Sequence, residues 1–211
     1  MRVVSWNVRS LRDDEDGVVE LVRSLAPEIV VLQEAPRLWR WRTSRRRLAR
    51  RCGLRLVTRQ RAAGNCVLAA PTVEVLTSYA VAFPKRAGLH RRATAGVVVG
   101  LEGRRACVAG THLDLDAGAR LDSAVRVRAA APSGVPLVLC ADVNDAPGSA
   151  AWAVLADGLV DKGEALTFPA AGPERRLDAL LVHPALLVLS HVVLDSHASD
   201  HRPIAAEIGW R

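Results

Sequence analysis

The sequence predicts an α/β protein in which two sheets pack face to face with helices on the outside. Three observations carry that reading. Many apolar runs have strand length and are punctuated by Gly and Pro. A few segments carry helical spacing instead, and they fall between strand candidates. Half of the 211 residues are apolar, with no linker or composition shift, which predicts one domain over residues 1–211.

Taken in order, Arg2–Trp6 is a short strand candidate ending at Asn7. Asp13, Asp14 and Asp16 make an acidic helix start, and Val18, Leu21, Val22 and Leu25 recur with helical spacing until Pro27. Ile29–Leu32 is a second buried strand, ending at Gln33-Glu34. Arg37–Arg51 holds Trp39, Trp41 and eight arginines and predicts a basic helix with Leu38, Trp41 and Leu48 turned inward. Its arginines form either a rail for phosphates, with a tryptophan to stack on a base, or an ordinary solvated face.

Strand patterns then follow at Leu54–Arg59, Cys66–Ala69, Val73–Tyr79, Ala93–Val99 and Ala106–Thr111, a mainly antiparallel stretch. Ala117–Ala131 is helical in pattern, Leu137–Ala141 is a buried strand, and Ser149 caps a short helix through Leu155. Leu177–Val182, Leu187–Leu194 and Pro203–Ile208 complete the strands, and no internal repeat is visible by eye.

No run of about 18 uninterrupted apolar residues is present, so no membrane span is expected. Met1–Asn7 enters a strand pattern without leader-like features, which predicts a cytoplasmic protein, and a monomer is expected. Cys52, Cys66, Cys107 and Cys140 form no Cys-x-x-Cys pair and suggest neither a zinc site nor a disulfide framework. The net charge of +7 suits a polyanion such as nucleic acid, although an arginine bias in a chain rich in Ala, Val, Leu and Gly also fits a GC-rich coding sequence.

The chemistry sits at strand ends. Asp142 and Asn144 follow the Leu137–Ala141 run and precede the turn signal Pro147-Gly148. Two residues apart on extended chain, they point to one side, the first able to accept a proton and the second to offer an amide donor. The plainer alternative is that both cap the turn. Asn7, Glu34, His112, Asp178, Asp200 and His201 also fall at strand ends. Together these groups offer ligands for a hard cation, donors for phosphoryl oxygens and a base for water. His197 and His201 have zinc-pair spacing on a helix, but Arg202-Pro203 argues for a loop entering a strand.

An ordered series of motifs carries a resemblance: Ser5-Trp6-Asn7-Val8-Arg9, Leu32-Gln33-Glu34, Gly64-Asn65-Cys66-Val67-Leu68, Gly110-Thr111-His112-Leu113, Ala141-Asp142-Val143-Asn144, Arg176-Leu177-Asp178-Ala179-Leu180 and Ser199-Asp200-His201-Arg202-Pro203-Ile204. From about residue 2 to 208 the chain resembles the endonuclease/exonuclease/phosphatase superfamily, which includes DNase I-like nucleases, exonuclease III-type repair enzymes, inositol-polyphosphate 5-phosphatases and neutral sphingomyelinases. The resemblance implies a DNase I-like four-layer α/β sandwich with its active site at one edge, and phosphoester hydrolysis with Mg2+ or Mn2+.

It further implies that Glu34 is the principal metal ligand, with Asn7 and Asp200 near the ion or its waters. Asp142 resembles the residue that activates water, Asn144 and His112 resemble phosphate-binding groups, and His201 resembles the catalytic histidine with Asp178 on its other ring nitrogen. Three departures stand out. Ala141 replaces a usual Gly, Arg9 stands where repair-type members often place an acid, and Tyr79 is not placed as a phosphate-contacting tyrosine. Arg9, Arg91 and Arg92 are the substrate-binding candidates.

The leading expectation is a metal-dependent phosphodiesterase or nuclease acting on nucleic acid, DNA favoured over RNA. The alternative keeps the machinery but acts on a phosphomonoester or a small phosphorylated metabolite. A non-catalytic nucleic-acid-binding module is a third reading, disfavoured because Glu34, Asp142 and His201 are all present.

Overall fold

The computed structural model describes residues 1–211. Its strands are β1 (Arg2–Asn7), β2 (Ile29–Gln33), β3 (Arg55–Leu56), β4 (Cys66–Ala69), β5 (Val75–Ala82), β6 (Ala93–Leu101), β7 (Arg104–His112), β8 (Leu137–Asp142), β9 (Val160–Asp161), β10 (Asp178–Val182), β11 (Leu186–Val193) and β12 (Ile204–Trp210). Helices α1 (Glu15–Leu25) and α2 (Trp41–Arg51) flank β2 in sequence, and α3 (Ala117–Ala130) and α4 (Ala150–Ala156) flank β8.

Two six-stranded sheets result, ordered β11-β12-β1-β2-β4-β3 and β5-β6-β7-β8-β10-β9. In each, only the third pairing is parallel, β1 with β2 and β7 with β8. Those pairs are joined by α1 and α3, because a parallel connection needs a crossover that a tight turn cannot supply. The two halves therefore share one topology that the sequence conceals, since alternating apolar patterns constrain residue class and leave identity free.

Burial follows the layers. Val3, Ile29, Val31 and Val67 of the first sheet meet Val97, Val108, Val138 and Leu180 of the second in the central core. Trp6 and Val30 on the first sheet's outer face pack on Val18 and Val22 of α1 and Leu48 of α2. Leu139 and Leu181 on the second sheet's outer face pack on Val127 of α3 and Trp152 and Leu155 of α4. Helix, sheet, sheet and helix give the expected α/β sandwich. At Gly110 the sheets approach so closely that a Cβ would collide with the Val31 side chain.

Local chemistry sets the helix ends. Asp14 accepts from the Gly17 backbone N–H at 2.9 Å, and Glu15 and Asp16 lie in the positive first turn of α1. Ser149 caps α4 through the Trp152 N–H, as its position suggested. Asp116 caps α3 by accepting from Ala119 at 2.8 Å, a signal missed in the sequence.

Several boundaries differ from expectation. Leu54–Arg59 contributes only the strand Arg55–Leu56, because beyond it the chain leaves the sheet for a 3-10 turn at Ala62–Gly64. Val73–Tyr79 is displaced to Val75–Ala82, and the short β9 was not foreseen. The basic helix begins at Trp41 instead of Arg37, after Arg40 in a left-handed conformation. Leu38 is correspondingly 75% exposed, so it does not turn inward, whereas Leu48 is buried. The unexpected inward residue is Arg45, whose guanidinium donates to the carbonyls of Pro36, Arg61 and Asn65. No helix is long and apolar enough to cross a membrane.

All four cysteines are free and buried. Burial pushes the Cys52 and Cys107 thiols up to about 11 and Cys140 up to about 12, and it raises Cys66 as well. The thiolate is the reactive form. Titration with a thiol-specific reagent at neutral pH should therefore leave the native protein unmodified and reach all four groups after unfolding in guanidinium; a fast stoichiometric reaction of the native chain would contradict this packing.

Candidate active site

The register of the second sheet places three side chains in one row. His112 at the end of β7 lies opposite Asp142 at the end of β8, and Asp142 lies opposite Asp178 at the start of β10. In the first sheet, Asn7 at the end of β1 pairs with Gln33, the residue before Glu34. The sheets meet where Asn7 Nδ2 donates to Asp142 Oδ2 at 2.7 Å. His201, in the loop before β12, completes the group with Nδ1 2.8 Å from Asp178 Oδ2 and Nε2 3.9 Å from Asp142 Oδ2.

Support around this pair is specific. The Trp6 indole N–H donates to the His201 carbonyl at 2.8 Å, and the Phe168 ring packs on the imidazole with centroids 4.8 Å apart. Thr167 Oγ1 accepts from the backbone N–H groups of Leu177 and Asp178, fixing the start of β10. The Ser199 hydroxyl donates to the Asn7 carbonyl at 2.8 Å, tying the Asp200-His201 loop to β1.

Asn144 reaches the site by a different route from the one expected. Its φ of 55° is left-handed, beyond the end of β8, so strand alternation does not orient it. Its backbone N–H bonds Asp142 Oδ1 at 3.2 Å, which makes the Asp142 turn real as well. The Asn144 amide nitrogen then donates to the Leu113 carbonyl at 3.0 Å and faces His112 Nε2 at 2.8 Å. His112 Nε2 also lies 3.3 Å from Asp142 Oδ2, and Nδ1 lies 3.7 Å from Glu34 Oε1.

The two histidines are driven apart. Burial pushes His112 down to about 4, helped by the nearby cations Arg92, His201 and Arg37 and opposed by Asp142. Burial also disfavours the charged form of His201, but Asp178, by charge and hydrogen bond, with Asp142 and Asp200, reverses it and raises the group to about 9. The site thus pairs a neutral imidazole with a protonated one at neutral pH.

Two sets of side chains could hold a metal. Asp142, Asp178 and His201 offer ligand atoms within 4.8 Å of one another, but the 2.8 Å bond between His201 and Asp178 would have to be given up to the ion. The other set is Glu34 with Asn7 and Asp200: the Glu34 carboxylate is 30% exposed and accepts no hydrogen bond from the protein, whereas Asn7 Oδ1 accepts from the Arg9 N–H at 3.0 Å and Asp200 pairs with Arg9 at 3.4 Å. Oxygen donors without a thiolate suit a hard divalent cation. Gly64 shapes this corner, with φ of +108° and its carbonyl accepting from the Ala35 N–H beside Glu34.

The three arginine candidates separate. Arg9 is turned toward Asp13 at 3.0 Å and Asp200 at 3.4 Å. Arg91 is exposed. Arg92 is buried with its Nε 3.5 Å from Asp114 Oδ2, an ion pair outside good hydrogen-bond geometry, and it lies close enough to Asp142 and Glu34 to feel their charge. Asp114 and Arg120 were missed. Asp114 follows His112 by two residues, a spacing like that of Asp142 and Asn144, and Arg120 bonds the Asp114 and Leu115 carbonyls and pairs with Asp145 at 2.6 Å.

Residues 4–201 match the model of the Endonuclease/Exonuclease/phosphatase family, and the chain belongs to that family, whose members generally use a divalent metal. No curated protein matches the sequence.

Solved structures share the fold at low identity. The mannosyl-6-phosphatase of Bacteroides thetaiotaomicron VPI-5482 is 15% identical with a TM-score of 0.85, covering 100% of both chains. The human Nocturnin catalytic domain with bound sulfate is 16% identical with a TM-score of 0.76, covering 100% of this chain and 93% of that one. D. rerio TDP2 complexed with single strand DNA product is 18% identical with a TM-score of 0.78, covering 99% and 98%.

The Arg92–Asp114 pair generates a prediction, because removing one partner of a buried pair leaves an uncompensated charge. Asp114→Asn should lower stability by about 3 kcal/mol in urea unfolding, and Arg92→Leu/Asp114→Leu should recover most of that loss. A double variant destabilised by the sum of the Arg92→Leu and Asp114→Leu single costs would show that the pair is not coupled.

Proposed function

We propose that this protein is a divalent-metal-dependent hydrolase of nucleic-acid phosphodiester bonds, acting through activated water. The observation that carries this reading is the convergence of Asn7, His112, Asp178-bound His201 and Asn144 on the fully buried Asp142. Glu34, Asn7 and Asp200 would hold the metal. Such an ion, when bound, supplies positive charge to the phosphoryl oxygens and acidifies a coordinated water.

The chain's own groups have separate tasks. Asp142 orients the attacking water and accepts its proton. Protonated His201, its tautomer fixed by Asp178, faces the developing negative charge on the phosphoryl group. Neutral His112 offers a ring N–H to phosphate, and Arg92, held by Asp114, adds positive charge beside it. Asn144 contacts phosphate only by exchanging its bond to His112, so it holds that ring in place until substrate arrives.

The substrate class is supported by charge next to the site. Arg37 lies near enough to His112 to depress its pKa, and Arg37 and Arg91 line one hollow with Arg61 and Lys85. A second reading, hydrolysis of a small phosphorylated metabolite, draws on the shared fold of the Bacteroides mannosyl-6-phosphatase. The two separate by salt, since displacement of counterions makes only polynucleotide binding steeply salt-dependent.

Hydrolysis should be measured with magnesium or manganese on plasmid, linear and single-stranded DNA, RNA and a panel of phosphomonoesters. His201→Ala should lower kcat by about 100- to 1000-fold with the fold intact, and Glu34→Gln should raise the metal concentration needed for half-maximal rate. Polynucleotide cleavage unaffected by Glu34→Gln/His201→Ala would remove this mechanism, and phosphate release from a sugar phosphate alone would move the function to the second reading.

A further inference from the structure

Helix α2 has two charged faces with different fates. Arg47 and Arg51 reach across to Glu15 and Asp16 on α1 at 2.5–2.7 Å, ordinary solvated ion pairs. Arg42 and Arg46 face away and have no carboxylate at ion-pairing distance, and the same holds for Arg37, Arg59, Arg61 and Arg91.

These unpaired cations line three adjoining hollows. One of about 810 Å³ lies beside the active site between Arg37, Arg61, Lys85 and Arg91. It shares Leu38 and Arg61 with a hollow of about 390 Å³ around Trp39 and Trp41. That one shares Arg42 with a cleft of about 540 Å³ holding Arg46, Arg55 and Arg59 between α2, β3 and β5. No Asp or Glu lines any of the three. The hollow beside Asn144, by contrast, mixes Asp145, Glu164 and Glu174 with Arg175 and Arg176.

The strip has a definite course. Its first part touches Ala80 and Ala82 at the catalytic end of β5, and its last part touches Val75–Ser78 at the far end. Along β5 that distance is roughly 23 Å at the usual strand rise of about 3.3 Å per residue. Since β3 and β5 are the edge strands of the two sheets, the path turns from the end of the sandwich onto its side. Buried Arg45 pins the walls by bonding the Pro36 and Arg61 carbonyls, so the strip is braced from beneath.

We infer that this strip seats a single-stranded polynucleotide leading into the active site, with Trp39 as its stacking platform. The inference rests on the nucleic-acid reading above and deepens it. Trp39 is 89% exposed, and its one cationic neighbour is Arg40 at 5.8 Å from the ring centroid. Cations in sequence beside an open aromatic face match the needs of a single strand, whose phosphates repeat and whose bases are free to stack. A duplex, stiff over about 50 nm, does not turn such a corner cheaply.

The test is fluorescence anisotropy of the full chain in EDTA with labelled oligonucleotides of 4 and 12 nucleotides, length-matched duplex and phosphatidylserine vesicles as competitors, and cleavage assayed in parallel with metal. The 12-mer should bind at least about tenfold tighter than the 4-mer and the duplex should compete poorly. Arg42→Glu/Arg46→Glu/Arg59→Glu should abolish the length advantage and flatten the salt slope by about 2. Trp39→Ala should weaken 12-mer binding about tenfold.

Unchanged 12-mer affinity in the triple variant, equal competition by duplex, or displacement by vesicles alone would overturn the strip. If the wild-type chain cleaves polynucleotide while every strip variant behaves like it, the strip falls and the active-site reading stands. If it neither binds nor cleaves polynucleotide yet hydrolyses a sugar phosphate, both fall.

Discussion

The side-by-side register of β7, β8 and β10 is the constraint on which the site depends. It aligns His112, Asp142 and Asp178 in one row, and Asp142 is fully buried at its centre. A slip of one residue in β8 would turn Asp142 to the other face and carry Leu139 and Ala141 out of the outer core. The apolar alternation that packs α3 and α4 is therefore also what aims the Asp142 carboxylate. The interior is not merely a scaffold under the site, because its packing fixes the geometry of Asp142.

The duplicated topology explains why the polar groups gather at one end. Each half delivers a polar group at the end of its first parallel strand, Asn7 on β1 and His112 on β7. Each adds a carboxylate after or at the end of the second, Glu34 after β2 and Asp142 on β8. The outermost loops bring Arg92 just before β6 and His201 just before β12, again in equivalent places. Facing the halves across the Val31–Gly110 contact brings both sets to one edge, where Asn7 bonds Asp142. Burying so many polar groups is tolerable because nearly all find partners, the exceptions being Gln33 Oε1, Asn65 Oδ1, His191 Nε2 and Arg92 Nε, the last still 3.5 Å from Asp114.

Much of this was legible in the chain, and what was not has physical causes. Acidic residues before Val18, Ser149 before α4 and the apolar runs of β1, β2, β8 and β10 are local signals that tertiary packing did not override. Residues 57–59 leave the strand although Val57 and Thr58 stay buried, and Leu38 is exposed in a loop whose Pro36 carbonyl accepts from Arg45, so apolar character there marks neither a strand nor a helix. The strand-end groups could be gathered from sequence because motif order supplies what spacing lacks. Trp6, Thr167 and Phe168 act on His201 and Asp178 by contacts that no local pattern encodes.

The same distinction bears on the charge. A net charge of +7 is uninformative by itself, since arginine bias can arise from base composition. Folding makes it informative by deciding which arginines meet carboxylates. On α2 the face toward α1 is neutralised by Glu15 and Asp16, whereas the face toward β3 and β5 keeps its charge and adjoins Trp39. Composition bias would scatter unpaired cations without regard to position. Their concentration along one continuous path that ends beside Arg37 and His112 is a property of the fold, and clustered like charges repel unless solvent or an anion screens them. The cluster is therefore maintained against its own electrostatics, as a surface matched to a polyanion would be.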